Sequence, residues 1–125
     1  MCIRDSTNAG GLNPKSMAKE IQKILHEQSL DMCVAYIDGD DLLPRMSDLN
    51  KSGEKFTNID KGGNLNDSEY TPLTANAYLG AWGIKEALDN GADIVVCPRV
   101  TDAAVVIGPA AVSYTHLTLP TTMLV

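Results

Sequence analysis

The stretch Asn8-Ala9-Gly10-Gly11-Leu12-Asn13-Pro14 constrains the fold of this chain more than any other. Two glycines allow positive φ or a close backbone approach, and Asn followed by Pro is a strong helix N-cap and first-position pair. The stretch therefore reads as a loop that opens a helix. From Lys15 to about Gln28, the residues Met17, Ala18, Ile21, Ile24 and Leu25 recur at three-and-four spacing and form that helix's apolar stripe. Met32 to Ile37 is then a continuous apolar run, the pattern of a short strand buried on both faces in a parallel sheet. Glycine turn, helix and buried strand make up the second half of a βαβ unit, so a strand must precede Asn8.

That strand is expected outside the native part of the chain, because both ends look foreign to the middle. Met1 to Ser6 and Val112 to Thr122 resemble translated sequencing-adapter read-through, which recurs at the ends of reading frames from environmental assemblies. Residues 1–6 and 112–125 are set aside as artefact on that ground. Residues 7–111 are then a fragment of one α/β domain. The expected architecture is a partial parallel-sheet, Rossmann-like three-layer domain, truncated at both ends.

After Ile37 the apolar run stops at Asp38-Gly39-Asp40-Asp41. Leu42, Leu43, Met46 and Leu49 suggest a short helix capped by Asp41, with Pro44 in its first turn. Asn50 to Leu73 is polar and rich in Gly, Asn and Lys, with Phe56 and Ile59 as its only sizeable apolar anchors. A two-stranded ribbon, an ordered loop or a disordered linker would each fit, and no chemistry is placed there. Thr74 to Asn90 restores helical period through Ala77, Ala81, Ile84 and Leu88, and Asn90-Gly91 is a left-handed stop. Gly80 and Gly83 inside that helix imply close packing against a backbone or a ligand. Asp93 to Cys97 is a second short buried strand. Ala103 to Ile107 suits a buried helix or a strand equally, and Gly108-Pro109 should end it.

Composition narrows the function classes. With 44% hydrophobic and 21% charged residues the chain is an ordinary globular one, and a net charge of -6 offers no footprint for nucleic acid or an anionic membrane. No apolar run approaches the roughly 20 residues a membrane span requires. Cys33 and Cys97 lie in apolar runs without metal-type spacing, which suits a reduced, cytoplasmic setting. His26 sits on the polar face near a helix end, so histidine-centred mechanisms start poorly.

In a parallel α/β sheet, the loops leaving the strand carboxyl ends share one edge, where ligands bind. Three loops qualify: Asn8 to Asn13, Asp38 to Asp41, and Pro98 to Asp102. They supply backbone donors at Gly10 and Gly11, polar side chains at Asn8 and Asn13, carboxylates at Asp38, Asp40 and Asp41, and the guanidinium of Arg99. Arg99 could hold a carboxylate or phosphate in bidentate fashion with Asp102 orienting it, or simply form a surface pair with Asp102. The aspartates admit three readings: oxygen ligands for Mg2+, a general base, or caps of the next helix. Leu42 excludes an EF-hand, and the glycines match neither a Walker A loop nor a GxGxxG dinucleotide turn. Cofactors therefore stay unassigned, with Mg2+ admissible. Cys97 as nucleophile is disfavoured, since a buried thiol is inert without an electropositive neighbour.

Five segments in order carry a family resemblance: Asn8 to Pro14, Gly39-Asp40-Asp41-Leu42-Leu43, Asn76-Ala77-Tyr78-Leu79-Gly80 with Ile84, Gly91-Ala92-Asp93-Ile94-Val95, and Arg99-Val100-Thr101-Asp102. Together they resemble the acyclic terpene utilisation (AtuA-type) family, and the match covers Thr7 to Pro109. A glycine commonly precedes the family's arginine, where this chain has Pro98. Asn76, in the third segment, joins the candidate binding residues. The resemblance implies part of an N-terminal core domain and a place in bacterial breakdown of branched terpenoids such as citronellol and geraniol, beside acyl-CoA carboxylases. It carries no established catalytic residues.

Two functions are compatible with these features. One is an enzyme acting on a small-molecule carboxylate or acyl-CoA. The other is a non-catalytic subunit that docks on an acyl-CoA carboxylase, carries an intermediate, or self-associates.

Overall fold

A computed structural model describes residues 5–114; expectations for residues 1–4 and 115–125, His116 included, lie outside the described residues. The described residues divide into two compact units, 5–38 with 78–114, and 39–77. The first is an α/β domain. Its elements are β1 (Asp5–Thr7), α1 (Pro14–Glu27), β2 (Val34–Tyr36), α3 (Trp82–Asp89), β3 (Ile94–Val96) and α4 (Ala104–Ser113), while α2 (Met46–Lys51) belongs to the second unit.

The sheet has three strands in the order β1-β3-β2, and both pairings are parallel. Ile94, Val95 and Val96 lie opposite Asp5, Ser6 and Thr7 on one side and Val34, Ala35 and Tyr36 on the other. Being central explains why β3 is the most apolar strand: Val95 and Val96 are fully buried. Val95 and Cys97 join Ile84, Leu88, Val100 and Ala104 in one cluster, so that face is covered by α3 and α4. The pleat turns Val96 to the other face, where α1 packs on β2 and β3.

The strand required before Asn8 is β1; two of its three residues, Asp5 and Ser6, lie in the stretch that looks foreign, and the third, Thr7, does not. Asp5-Ser6-Thr7 carries no apolar pattern and was therefore silent; it is held as an edge strand by backbone hydrogen bonds to β3. Helix α1 forms as expected. Asn13 caps it by accepting a hydrogen bond from the Ser16 amide at 3.1 Å, and Pro14 opens it.

Two expectations are corrected. The helix expected from Thr74 begins only at Trp82, because non-local hydrogen bonds claim the preceding backbone. Within the second unit, Leu42 donates to the Ala75 carbonyl and Ala77 to that of Asp40; within the first, Leu79 donates to Arg99 and accepts from Thr101. Gly80 is thus a loop residue. Gly83 does pack closely, since a Cβ there would lie 3.2 Å from Ile37 Cγ2.

The second correction concerns Gly108-Pro109, which does not end the last element: α4 runs through both residues to Ser113. Gly108 lies so close to Ile84 that a Cβ would meet Cγ2 at 2.5 Å. Pro109 has no N–H to offer the Val105 carbonyl four residues earlier. The Ser6 hydroxyl donates to that carbonyl instead, at 2.6 Å.

The second unit is an ordered loop rather than a linker. A 3-10 turn, Leu43–Arg45, leads into α2, and a single antiparallel bridge joins Thr57 to Asn64. The Asn58 side chain closes the turn by accepting from the Asp60 and Lys61 amides. Ile59, expected as an anchor, is 99% exposed.

Candidate functional site

The parallel sheet sends the loops after β1, β2 and β3 out of one edge of the first unit. Asn8, Gly10, Gly11, Asn13, Asp38, Arg99 and Asp102 all lie on these loops. The first and last are joined directly. Cys97 donates to the Thr7 carbonyl at 2.7 Å, and its own carbonyl accepts from Gly10 at 3.1 Å, extending the β1–β3 ladder past the strand ends.

This ladder changes the role of the first glycine. A Cβ at Gly10 would lie 2.5 Å from the Cys97 carbonyl oxygen and 2.7 Å from Pro14 Cβ, so only glycine fits between the two segments. Its N–H is committed to Cys97 and does not face a ligand. Gly11, at φ +56°, makes the turn toward α1. Pro14 has no N–H and Asn13 caps Ser16, which withdraws two first-turn donors of α1. The anion grip read from the glycines alone is therefore narrower than the sequence suggested. Arg99 is exposed on the loop after β3, and its carbonyl accepts from Leu79 at 2.9 Å. Asp38, Asp102, Asn8 and Asn13 are also exposed.

Asp40, Asp41 and Asn76 belong to the second unit, where they come together. Asp41 and Asn76 form an antiparallel bridge, the Asn76 side-chain amide donates to Asp40 Oδ2 at 2.9 Å, and the Asp40 carbonyl accepts from Ala77 at 2.8 Å. Asp40 is the buried charged residue of the described chain, 5% exposed. Asp41 Oδ1 accepts from the Leu43 amide at 3.0 Å, an Asx turn ahead of the 3-10 turn, while the N-cap positions of that turn and of α2 fall on Leu42 and Arg45, so Asp41 is not the helix cap expected of it. Asp41 thus serves a local turn, while Asp40 is held buried by an amide that sequence spacing could not have paired with it. Among the described residues no group of three or more His, Cys, Asp or Glu side chains could hold a metal ion.

Cys97 is fully buried, and burial pushes its thiol up to about 11 from the ordinary 9.0. Burial thus holds the thiol in its protonated, less nucleophilic form at neutral pH. Among the described residues no helix is long and apolar enough to cross a membrane.

The fold defines a parallel α/β domain with an arginine exposed on the loop after its central strand. The family model described as acyclic terpene utilisation family protein AtuA matches residues 3–116. The chain belongs to that family, which ties it to acyclic terpene utilisation. No curated protein and no solved structure matches it.

Proposed function

We propose that the chain belongs to an enzyme of acyclic terpene catabolism that acts on a carboxylate or acyl-CoA intermediate in the bacterial cytoplasm. The observation that carries this reading is Arg99, exposed on the loop after the central strand of a parallel sheet, the edge at which such sheets take ligands. Its planar fork suits a carboxylate or phosphate oxygen pair. In this reading Arg99 takes the anion.

Thermal unfolding of the protein against acyl-CoA thioesters and their free acids tests it. A ligand at 100 times its Kd adds about 2.7 kcal/mol of stability. The shift should appear with one acid or thioester and vanish in Arg99→Gln. Growth on citronellol that survives Arg99→Gln would sink the reading.

The exposure of Trp82, Val106 and Tyr114, at 76%, 69% and 64%, supports a second reading. Such apolar side chains suit a non-catalytic component docking on an acyl-CoA carboxylase or on another copy of itself. Co-purification with a carboxylase subunit and no turnover would favour it.

A further inference from the structure

A cavity of about 460 Å3 opens in the first unit between the start of α3 and α4, lined by Gly80, Ala81, Trp82, Thr101, Ala104 and Ile107 among others. We propose that it binds the aliphatic chain of an amphiphilic ligand. Its size falls among small-molecule sites, and its wall has the composition of one: glycine and alanines, one isoleucine, one aromatic plane and a single hydroxyl. The lining is concave because Leu79 is pinned to the β3 loop. Leu79 donates to Arg99 and accepts from Thr101, which sets Gly80 to Trp82 beside Thr101 and the first turns of α4.

Gly80 keeps the space clear. A Cβ built there meets no atom within 4 Å, and its φ lies outside the left-handed region, so backbone geometry does not require glycine. The residue is small where the cavity needs room. The loop after β3 that supplies Thr101 to the cavity carries Arg99 two positions before it. A chain in the cavity and an acid group on Arg99 would make one ligand with an apolar tail and an anionic head. Only this assignment of the head rests on the function proposed above.

Trp82 is the chain's single tryptophan, so its emission reports the cavity directly. The 125-residue chain is titrated with 1-hexanol, 1-octanol and 1-decanol, neutral probes that need no arginine. A saturable blue shift is expected, with binding tightening about four-fold per methylene until the cavity fills. Gly80→Leu should keep the circular dichroism spectrum and melting profile of the parent and weaken octanol binding at least about ten-fold, the loss of two or more methylene contacts.

No spectral change with any alcohol overturns the proposal, as does a folded Gly80→Leu that binds octanol like the parent. A blue shift that follows protein concentration without added alcohol would instead show a second copy covering Trp82, and would overturn it too. Octanoate separates the two readings. Octanol binding with no gain for octanoate, and no effect of Arg99→Gln, keeps the cavity and removes Arg99 from the head-group role.

Discussion

Cys97 shows what burial does to one side chain. Its thiol titrates near 11 in the folded chain and near 9.0 when exposed. Below pH 9 both states are protonated and the group is neutral to stability. Between pH 9 and 11 the unfolded chain releases its proton first, so stability falls by roughly 3 kcal/mol, or 1.36 kcal/mol per pH unit. Denaturant melts from pH 8 to 11 should show this loss in the parent and a shallower one in Cys97→Ala. Exposed Cys33 should alkylate in the folded protein at pH 8 while Cys97 waits for unfolding. Glycines tell a similar story. Gly108→Ala drives a methyl into Ile84 and Gly10→Ala drives one into the Cys97 carbonyl, and each should cost about 1–3 kcal/mol by chemical denaturation. Sequence marks Gly10 as special but misassigns the reason. A loop glycine that approaches a backbone looks the same as one that approaches a phosphate.

Elements were legible where their own residues decide them. Helix α1 carries both its stripe and its cap, and Asn13→Ala should cost it about 1 kcal/mol in urea melts. Strand β3 was legible because a central strand must be apolar on both faces. Elements set by distant partners were not. The residues before Trp82 have helical period, yet Arg99, Thr101 and, in the second unit, Leu42 and Asp40 claim their hydrogen bonds. Helix α4 passes through Gly108 and Pro109 because Ile84 occupies the space glycine leaves and Ser6 satisfies the carbonyl proline abandons. Ser6→Ala should therefore destabilise the chain by about 1 kcal/mol, and Ser6→Ala combined with Pro109→Ala by less than the sum of the two, since the helix regains its own donor. The candidate site followed the same division. The strand-end loops could be placed from sequence, but the pairing of Asn76 with Asp40 across 36 residues could not.

At the scale of the whole molecule, the sheet order has a consequence for synthesis. Among the described residues both β1 and β2 pair with β3 and not with each other. Sheet formation must wait until the ribosome has made residues 94–96, some 58 residues after β2 is complete. At 5–20 residues per second that is roughly 3–12 s with two parallel edges unpaired in the nascent chain. The contacts that close the fold are long in sequence, so the final step is slow as well as late. Nascent chains arrested before Ile94 should be cleaved freely by protease along β1 and β2, whereas chains extended past Ser113 should be protected there. The strand made last of the three is the template on which the first two become strands at all.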